Sequence, residues 1–243
     1  MLNLPKVTAI CVDGTPDGSK CDIHLRIISA LKKHIKFNSF KFAVNKNIKS
    51  DLVEIIKIPK ITDSYEYSKF ILLDLPDMID SEFCMIIHAD GFPINFNLWD
   101  ENFIKYDYIG APWGMGVNGS GVYPHHYHRG LVEGGNGGFS IRSKKLMKLI
   151  REIPDNFLHL GKSIRERCRD KSLHEDGFIC YELRSWLKQN GCAFAPYDLA
   201  KKFSLETSLE DGPNDIEKVF GFHGYQYGYI TMDEALRRIE MNN

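Results

Sequence analysis

Short apolar runs alternate along the chain with segments of helical period, and that order predicts the fold. Residues 7–12 read as a buried strand closing at Asp13-Gly14, and Ile23, Leu25, Ile27, Ile28, Leu31 and Ile35 then recur at helical spacing over residues 23–35. Further strands are predicted at 40–44 and near 53–58. A helix follows across 64–79, where Tyr67, Phe70, Ile71 and Leu75 share one face before Pro76 weakens it. The run Phe83-Cys84-Met85-Ile86-Ile87 is a further strand. Strands alternating with helices predict an α/β fold with a mostly parallel central sheet flanked by helices.

Beyond that strand the pattern changes. Residues 99–108 read as a short helix and turn, and 114–121 as a glycine-rich surface loop too long for a simple connection. Gly134-Gly135-Asn136-Gly137-Gly138 precedes a β-like stretch at 139–143 and a helix over 144–153. A basic, solvated stretch spans 162–171, and His174-Glu175-Asp176-Gly177 opens an apolar helix over 178–187. Phe220-Gly221-Phe222-His223-Gly224 sets one histidine between aromatics and glycines, and 231–241 reads as a closing amphipathic helix with Asp233 and Glu234 in its first turn.

Bulk composition narrows the classes. With 43% hydrophobic and 26% charged residues and a formal net charge of −1, the chain reads as one globular domain over 1–243 with no broad pull toward nucleic acid. Cys11, Cys21, Cys84, Cys168, Cys180 and Cys192 form no CxxC pair, which predicts reduced, packed thiols in a cytoplasmic protein. No apolar leader opens the sequence and no run of about 18 apolar residues occurs, so neither secretion nor membrane spanning is expected. Peripheral attachment at the inner face of a membrane stays open.

The chemistry concentrates at His88-Ala89-Asp90-Gly91. An acidic residue where a buried strand turns out through Gly and Pro points into the crevice in which open α/β sheets bind ligands, though Asp-Gly also opens ordinary turns. The glycines at 134–138 let backbone approach a ligand closely. They match neither the P-loop nor the GxGxxG spacing, and a mononucleotide or sugar fits better. Trp113, Asn136, Gly137 and Gly138 are candidates for a sugar-facing wall, with a packed core Trp as the competing role. His125-His126-Tyr127-His128 has no matching second pair of ligands and is read as an exposed cluster, not a metal site.

The strings ADGF, DYIGAPW, GNGGFSIRS, EDGFIC, FAP and FGFHG, in this order, resemble the GT-A class of nucleotide-sugar glycosyltransferases, and more closely a poorly characterised bacterial and viral glycosyltransferase-like family. The resemblance implies a GT-A-like (Rossmann-like) domain with a nucleotide-binding part at about 1–112 and an acceptor-side part at about 113–243. It implies transfer of a sugar from a nucleotide-sugar donor to the hydroxyl of a glycan, glycoconjugate or other acceptor, with Mn²⁺ or Mg²⁺ as cofactor and an inverting outcome. Asp90 would occupy the last position of the DxD motif and His223 would complete the metal shell. The first DxD position carries His88 instead of Asp, which leaves its role open between metal, ribose and neither. Asp176 would be the catalytic base supported by Glu175, against the simpler role of capping a helix. Asp13 would meet the nucleotide, Lys69 a phosphate, and Gly91 would belong to the donor site. The rivals are a nucleotidyltransferase and a catalytically inactive carbohydrate-binding protein of the same fold.

Overall fold

The computed structural model describes residues 1–113, 135–153, 164–171, 173–209, 212, 214–225 and 228–241. The loop read at 114–121 and the histidines at 125–128 lie outside the described residues, as do Gly134 and the first two residues of the basic stretch at 162–171. Five consecutive segments follow the predicted alternation: β1 (Leu2–Asp13), α1 (Cys21–His34), β2 (Ile35–Val44), β3 (Glu54–Lys57) and α2 (Ser64–Lys69). β4 (Phe83–Ile87), β5 (Gly91–Pro93), β6 (Tyr108–Gly110), β7 (Ser140–Ser143) and α3 (Lys144–Arg151) come next. The described remainder contains α4 (Ile164–Arg169), α5 (Glu175–Gly177), α6 (Arg184–Gln189), α7 (Tyr197–Phe203), β8 (Ser204–Leu205), β9 (Gly221–His223) and α8 (Met232–Met241).

Among the described residues the central sheet has six strands in the order β3-β2-β1-β4-β7-β6. β1 pairs parallel with β2 and β4, and β2 with β3; β7 alone runs antiparallel, against β4 and β6. The sheet is therefore mostly parallel, as the alternating sequence pattern implies. Successive residues of a strand face opposite sides, and both sides of this sheet are buried. Ala9, Cys11, Phe42, Met85 and Ile87 face a core with α1 and α8, whereas Ile10, Val12, Ala43, Cys84 and Ile86 face a second core with α3 and the segments around Phe70 and Phe178. That double burial explains why β1 and β4 read as continuous apolar runs. Cys11, Cys21, Cys84, Cys180 and Cys192 are free and buried, and no described helix is long and apolar enough to cross a membrane.

Three helical readings change in detail. Asp63 caps α2 by accepting from the backbone N–H of Tyr65 and Glu66 at 3.1 and 3.0 Å. The predicted helix over 64–79 then widens into a π turn at Phe70–Asp74 and tightens into a 3₁₀ turn at Leu75–Met78, because Pro76 lacks an N–H and its ring clashes with an α-helical path. The predicted helix over 178–187 is likewise a π turn, Phe178–Glu182, followed by α6. The helix read within 99–108 is a short 3₁₀ segment, Glu101–Lys105, before β6.

A second sheet of order β5-β9-β8, absent from the sequence reading, sits beside the end of β4. Gly91 of β5 pairs with His223 of β9. Behind it lies an aromatic cluster: Phe203 stacks on Phe139 at 4.7 Å between ring centroids and meets Phe103 at 5.2 Å and Phe220 at 5.9 Å. Since Phe203 is fully buried, Phe203→Ala should cost about 3–5 kcal/mol. Urea denaturation should show a lower midpoint with unchanged slope; a midpoint shift below the equivalent of about 1 kcal/mol would mean that the cluster closes over the missing ring.

Candidate functional site

Among the described residues, the chemistry gathers at the carboxyl ends of β1 and β4. After Ile87 the chain reverses tightly: the backbone N–H of His88 donates to the Gly91 carbonyl at 2.9 Å, and that of Gly91 returns to the His88 carbonyl at 3.2 Å. The Gly224 N–H then donates to the Asp90 carbonyl at 2.7 Å, tying the turn to the end of β9. This brings His223, remote in sequence, beside Asp90.

His88 Nδ1 and His223 Nε2 each stand 3.9 Å from Asp90 Oδ1, too far for a hydrogen bond. The three candidate donor atoms all lie within 4.8 Å of one another. Ligands about 2.1 Å from one ion stand about 3–4 Å apart, so the spacing suits a shared cation. Gly138 borders the same space. A Cβ built on it would lie 2.1 Å from His223 Nε2 and 2.9 Å from His88 Nδ1, so any side chain there would collide with both imidazoles. A carboxylate with two imidazoles is a donor set that divalent transition metals accept. His88, Asp90 and His223 thus form a candidate metal-binding triad.

Neighbouring groups orient both rings. Glu206 Oε1 accepts from His223 Nδ1 at 3.1 Å and from the Asn136 amide at 2.9 Å, which leaves His223 Nε2 as the bare nitrogen facing Asp90. Tyr67 Oη lies 2.5 Å from His88 Nε2 and can accept its proton, leaving Nδ1 bare in the same way. Carboxylates and hydroxyls behind histidine ligands commonly fix the tautomer like this. Burial alone would lower the His223 imidazole, but the bond to Glu206 and the charges of Glu206, Asp90 and Asp176 outweigh it and the net shift is upward. His88 has no carboxylate partner of that kind; burial and the neighbouring His223 push it down to about 3. Asp90 is held below the usual carboxylate range because the two histidines outweigh the effect of its burial.

On the other side of Gly138 stands the acidic pair. Arg142, on β7 and 1% exposed, donates through Nη2 to Glu175 Oε1 at 3.0 Å, and Ser68 Oγ receives the Glu175 backbone N–H at 3.2 Å. Glu175 is thereby locked at the start of α5. Asp176, one residue on, accepts from the backbone N–H of Gly137 at 3.2 Å and of Gly177 at 2.7 Å. Burial, then the charge of Glu175, push its carboxyl up to about 7. Gly137 is required here for contact reasons, since a Cβ on it would lie 2.2 Å from Glu175 Oε1 and 2.5 Å from Arg142 Nη2.

A cleft of about 310 Å³ adjoins Asp90, lined by Asp13, Thr15, Lys20, His24, Tyr67 and His88 among others. Asp13 is 1% exposed; its Oδ1 accepts from the Thr15 N–H at 3.1 Å and hydroxyl at 2.5 Å. Lys69 is half-buried on α2 and is not among the residues lining this cleft, whereas Lys20 is. Trp113 is half-buried and packs against the second core. The structure therefore brings together Asp13, His88, Asp90, Gly91, His223, Asn136, Gly137, Gly138, Glu175 and Asp176. Sequence reasoning missed Glu206, Tyr67, Arg142, Lys20 and His24 as members of the site. Tyr67 was legible only as a helix-face aromatic, and Glu206 follows a two-residue strand with no pattern of its own.

A family model described as "Protein of unknown function (DUF5672)" matches residues 52–223. No curated protein matches the chain. Among solved structures, a glycosyltransferase involved in the glycosylation of the major capsid of PBCV-1 aligns with 12% identity over 97% of this chain and 98% of that one, at a TM-score of 0.46. The bifunctional IspDF from Campylobacter jejuni aligns with 16% identity over 66% of this chain and 47% of that one, at 0.36. The apo-form glycosyltransferase GlyE of Streptococcus pneumoniae TIGR4 aligns with 13% identity over 94% of this chain and 55% of that one, at 0.31.

The raised Asp176 carboxyl has a consequence for stability. The folded state holds its proton more tightly than the unfolded chain, so that stabilisation is complete below about pH 4 and is lost as pH rises toward about 7. Asp176→Asn removes the titration. Its stability relative to the native protein, from urea midpoints with chelator present, should rise steadily between pH 4 and 7; a flat difference would mean that Asp176 titrates as an ordinary carboxylate.

Proposed function

The chain belongs to the DUF5672 family, and we propose that it is a GT-A-like glycosyltransferase. It moves a sugar from a nucleotide-sugar donor to an acceptor hydroxyl with inversion at the anomeric carbon. The observation that carries this reading is the pair Gly137-Gly138. One glycine abuts the acidic pair Glu175-Asp176 and the next abuts the nitrogens of His88 and His223, so a base candidate and a cation-binding triad share one short piece of backbone. The ordered strings from ADGF to FGFHG support the same reading, as does a strand-end aspartate beside a cleft of nucleoside size.

In this reading the division of labour follows from the charges. The region of about 1–112 takes the nucleotide, with Asp13 and Lys20 along the cleft, and the region of about 113–243 takes the acceptor. Lys69, off the cleft, is not assigned a phosphate. Asp90 and His223, with His88, would hold a divalent cation, which when bound neutralises negative charge on the departing diphosphate. Two imidazoles in the donor set favour Mn²⁺ over Mg²⁺, which prefers an all-oxygen shell.

Asp176 receives the proton of the acceptor hydroxyl. As the acceptor oxygen bonds to the anomeric carbon, the bond from that carbon to the phosphate oxygen breaks and its electron pair stays with the nucleoside diphosphate. A carboxyl near 7 suits this work, because the base is available near neutrality and still binds a proton firmly. Glu175, hydrogen-bonded to Arg142, acts by positioning Asp176 and lifting its affinity for the proton.

The test is nucleoside diphosphate release from a panel of nucleotide sugars with Mn²⁺, Mg²⁺ or chelator. One donor should be turned over, faster with Mn²⁺, and Asp90→Ala should abolish release while the circular dichroism spectrum stays native. Asp176→Asn should lower turnover by about 10²–10⁴-fold with donor affinity unchanged. Release that survives Asp90→Ala would overturn the triad's role. Loss of donor binding in Asp176→Asn would mark that residue as a structural cap. Sugar binding without any turnover would favour a non-catalytic carbohydrate-binding protein.

A further inference from the structure

Two residues that line the cleft beside Asp90 each carry a buried acceptor atom with no hydrogen-bond partner among the described residues, Asp13 Oδ2 and His24 Nε2. Both residues are 1% exposed. The identity of the His24 atom as an acceptor follows from its other nitrogen. Nδ1 lies 2.9 Å from the Lys20 carbonyl, which can only accept, so Nδ1 carries the proton and Nε2 presents a lone pair. The ring is steadied by Phe42, 5.3 Å away between centroids. Burial, the largest influence, lowers the imidazole to about 4 despite the nearby Asp13, so the neutral acceptor form holds near neutral pH. Asp13 is fixed just as firmly, its Oδ1 being occupied by Thr15 while Oδ2 is left over.

A buried acceptor without a partner is costly to keep, and two on one cleft call for a ligand that supplies donors. A phosphate has none to offer, whereas a nucleoside offers ribose hydroxyls and base N–H groups. We propose that His24 Nε2, together with Asp13 Oδ2, is a specificity-determining pair that accepts hydrogen bonds from N–H or O–H groups of the donor's nucleoside. The proposal rests on the nucleotide-sugar reading above and adds to it a residue on α1 that faces no reacting atom. The base edge and the ribose hydroxyls both offer donors, and experiment separates them.

Binding of nucleoside diphosphates and of pyrophosphate, each with Mn²⁺, is measured by calorimetry on the native chain, His24→Phe and Asp13→Asn. Phenylalanine keeps the ring against Phe42 and removes the acceptor; asparagine keeps an oxygen for Thr15 and can turn the free acceptor into a donor. Both variants should bind the preferred nucleoside diphosphate at least tenfold more weakly, about 1.4 kcal/mol, and bind pyrophosphate as the native chain does. A 2′,3′-dideoxy analogue assigns the donors. If it loses as much on the native chain and nothing further on His24→Phe, they are the ribose hydroxyls; if the two losses add, they are on the base. Should His24→Phe fail to fold, Asp13→Asn carries the same comparison. Native affinity and unchanged base preference in the folded variants would overturn the pair's role while leaving the transferase reading intact. A native chain that binds Mn²⁺ but no nucleoside diphosphate would instead overturn the nucleotide-sugar reading, and this inference with it.

Discussion

A guanidinium buried in the middle of a sheet has to be answered by a carboxylate, and most of the site follows from that requirement. Arg142 sits on β7, its side chain covered by Tyr108 at 5.3 Å and its Nη2 on Glu175. Removing one partner of such a pair typically costs about 3–5 kcal/mol, because the survivor is left charged and dry. The pair therefore pins the start of α5 to the sheet. That leaves Asp176 with a fixed backbone, two backbone N–H donors and a like charge beside it. The carboxyl's upward shift is thus a product of architecture: the packing that pins α5 buries Asp176, and Glu175, fixed beside it by Arg142, adds a like charge.

The opposite wall depends on backbone pairing rather than charge. β5 and β9 are three residues each, too short to be stable alone, yet their pairing sets Gly91 against His223 and the Gly224 N–H on Asp90. Their persistence rests on the rings of Phe92, Phe222, Phe139, Phe203 and Phe220 packed against them. Glu206, just beyond β8, reaches His223 from the third strand of this small sheet. The fold thus delivers a histidine together with the carboxylate that chooses its tautomer, one strand apart.

How much of this was legible in the sequence follows from the range of each interaction. β4, α1, α3 and the closing α8 were read close to their observed bounds, because double burial or a helical stripe is a local signal. β2 was cut short at 40, since Lys36 and Asn38 break the apolar run although the strand begins at Ile35. Asp90, His223, Glu175 and Asp176 stood out through neighbouring glycines and turn residues. Glu206 and His24 did not, because what distinguishes them is a partner, or the lack of one, created by contacts that periodicity does not encode. DYIGAPW and FAP have a structural reason that the strings do not reveal. Asp107 accepts from the Ser143 hydroxyl at 2.5 Å and the Ala193 N–H at 2.7 Å, and Ala195 N–H returns to Tyr108, so the two strings bind each other.

The glycine string between them explains why the two halves of the site cannot vary independently. A Cβ on Gly110 would lie 2.1 Å from the Asn136 carbonyl oxygen, and one on Gly135 1.9 Å from that of Ala111, so the segment before β7 runs in tight contact with the end of β6. Gly135 adds a φ of +128°, a conformation side chains rarely adopt. Held that closely, the backbone reaches Gly137 and Gly138 at a fixed height, with Arg142 and Glu175 on one and the imidazoles on the other. A side chain at either glycine would push one wall and, through a rigid peptide, the other as well. The acidic pair and the triad are therefore parts of one mechanical unit, and the space for the His88 ring is set by Gly138 and Tyr67.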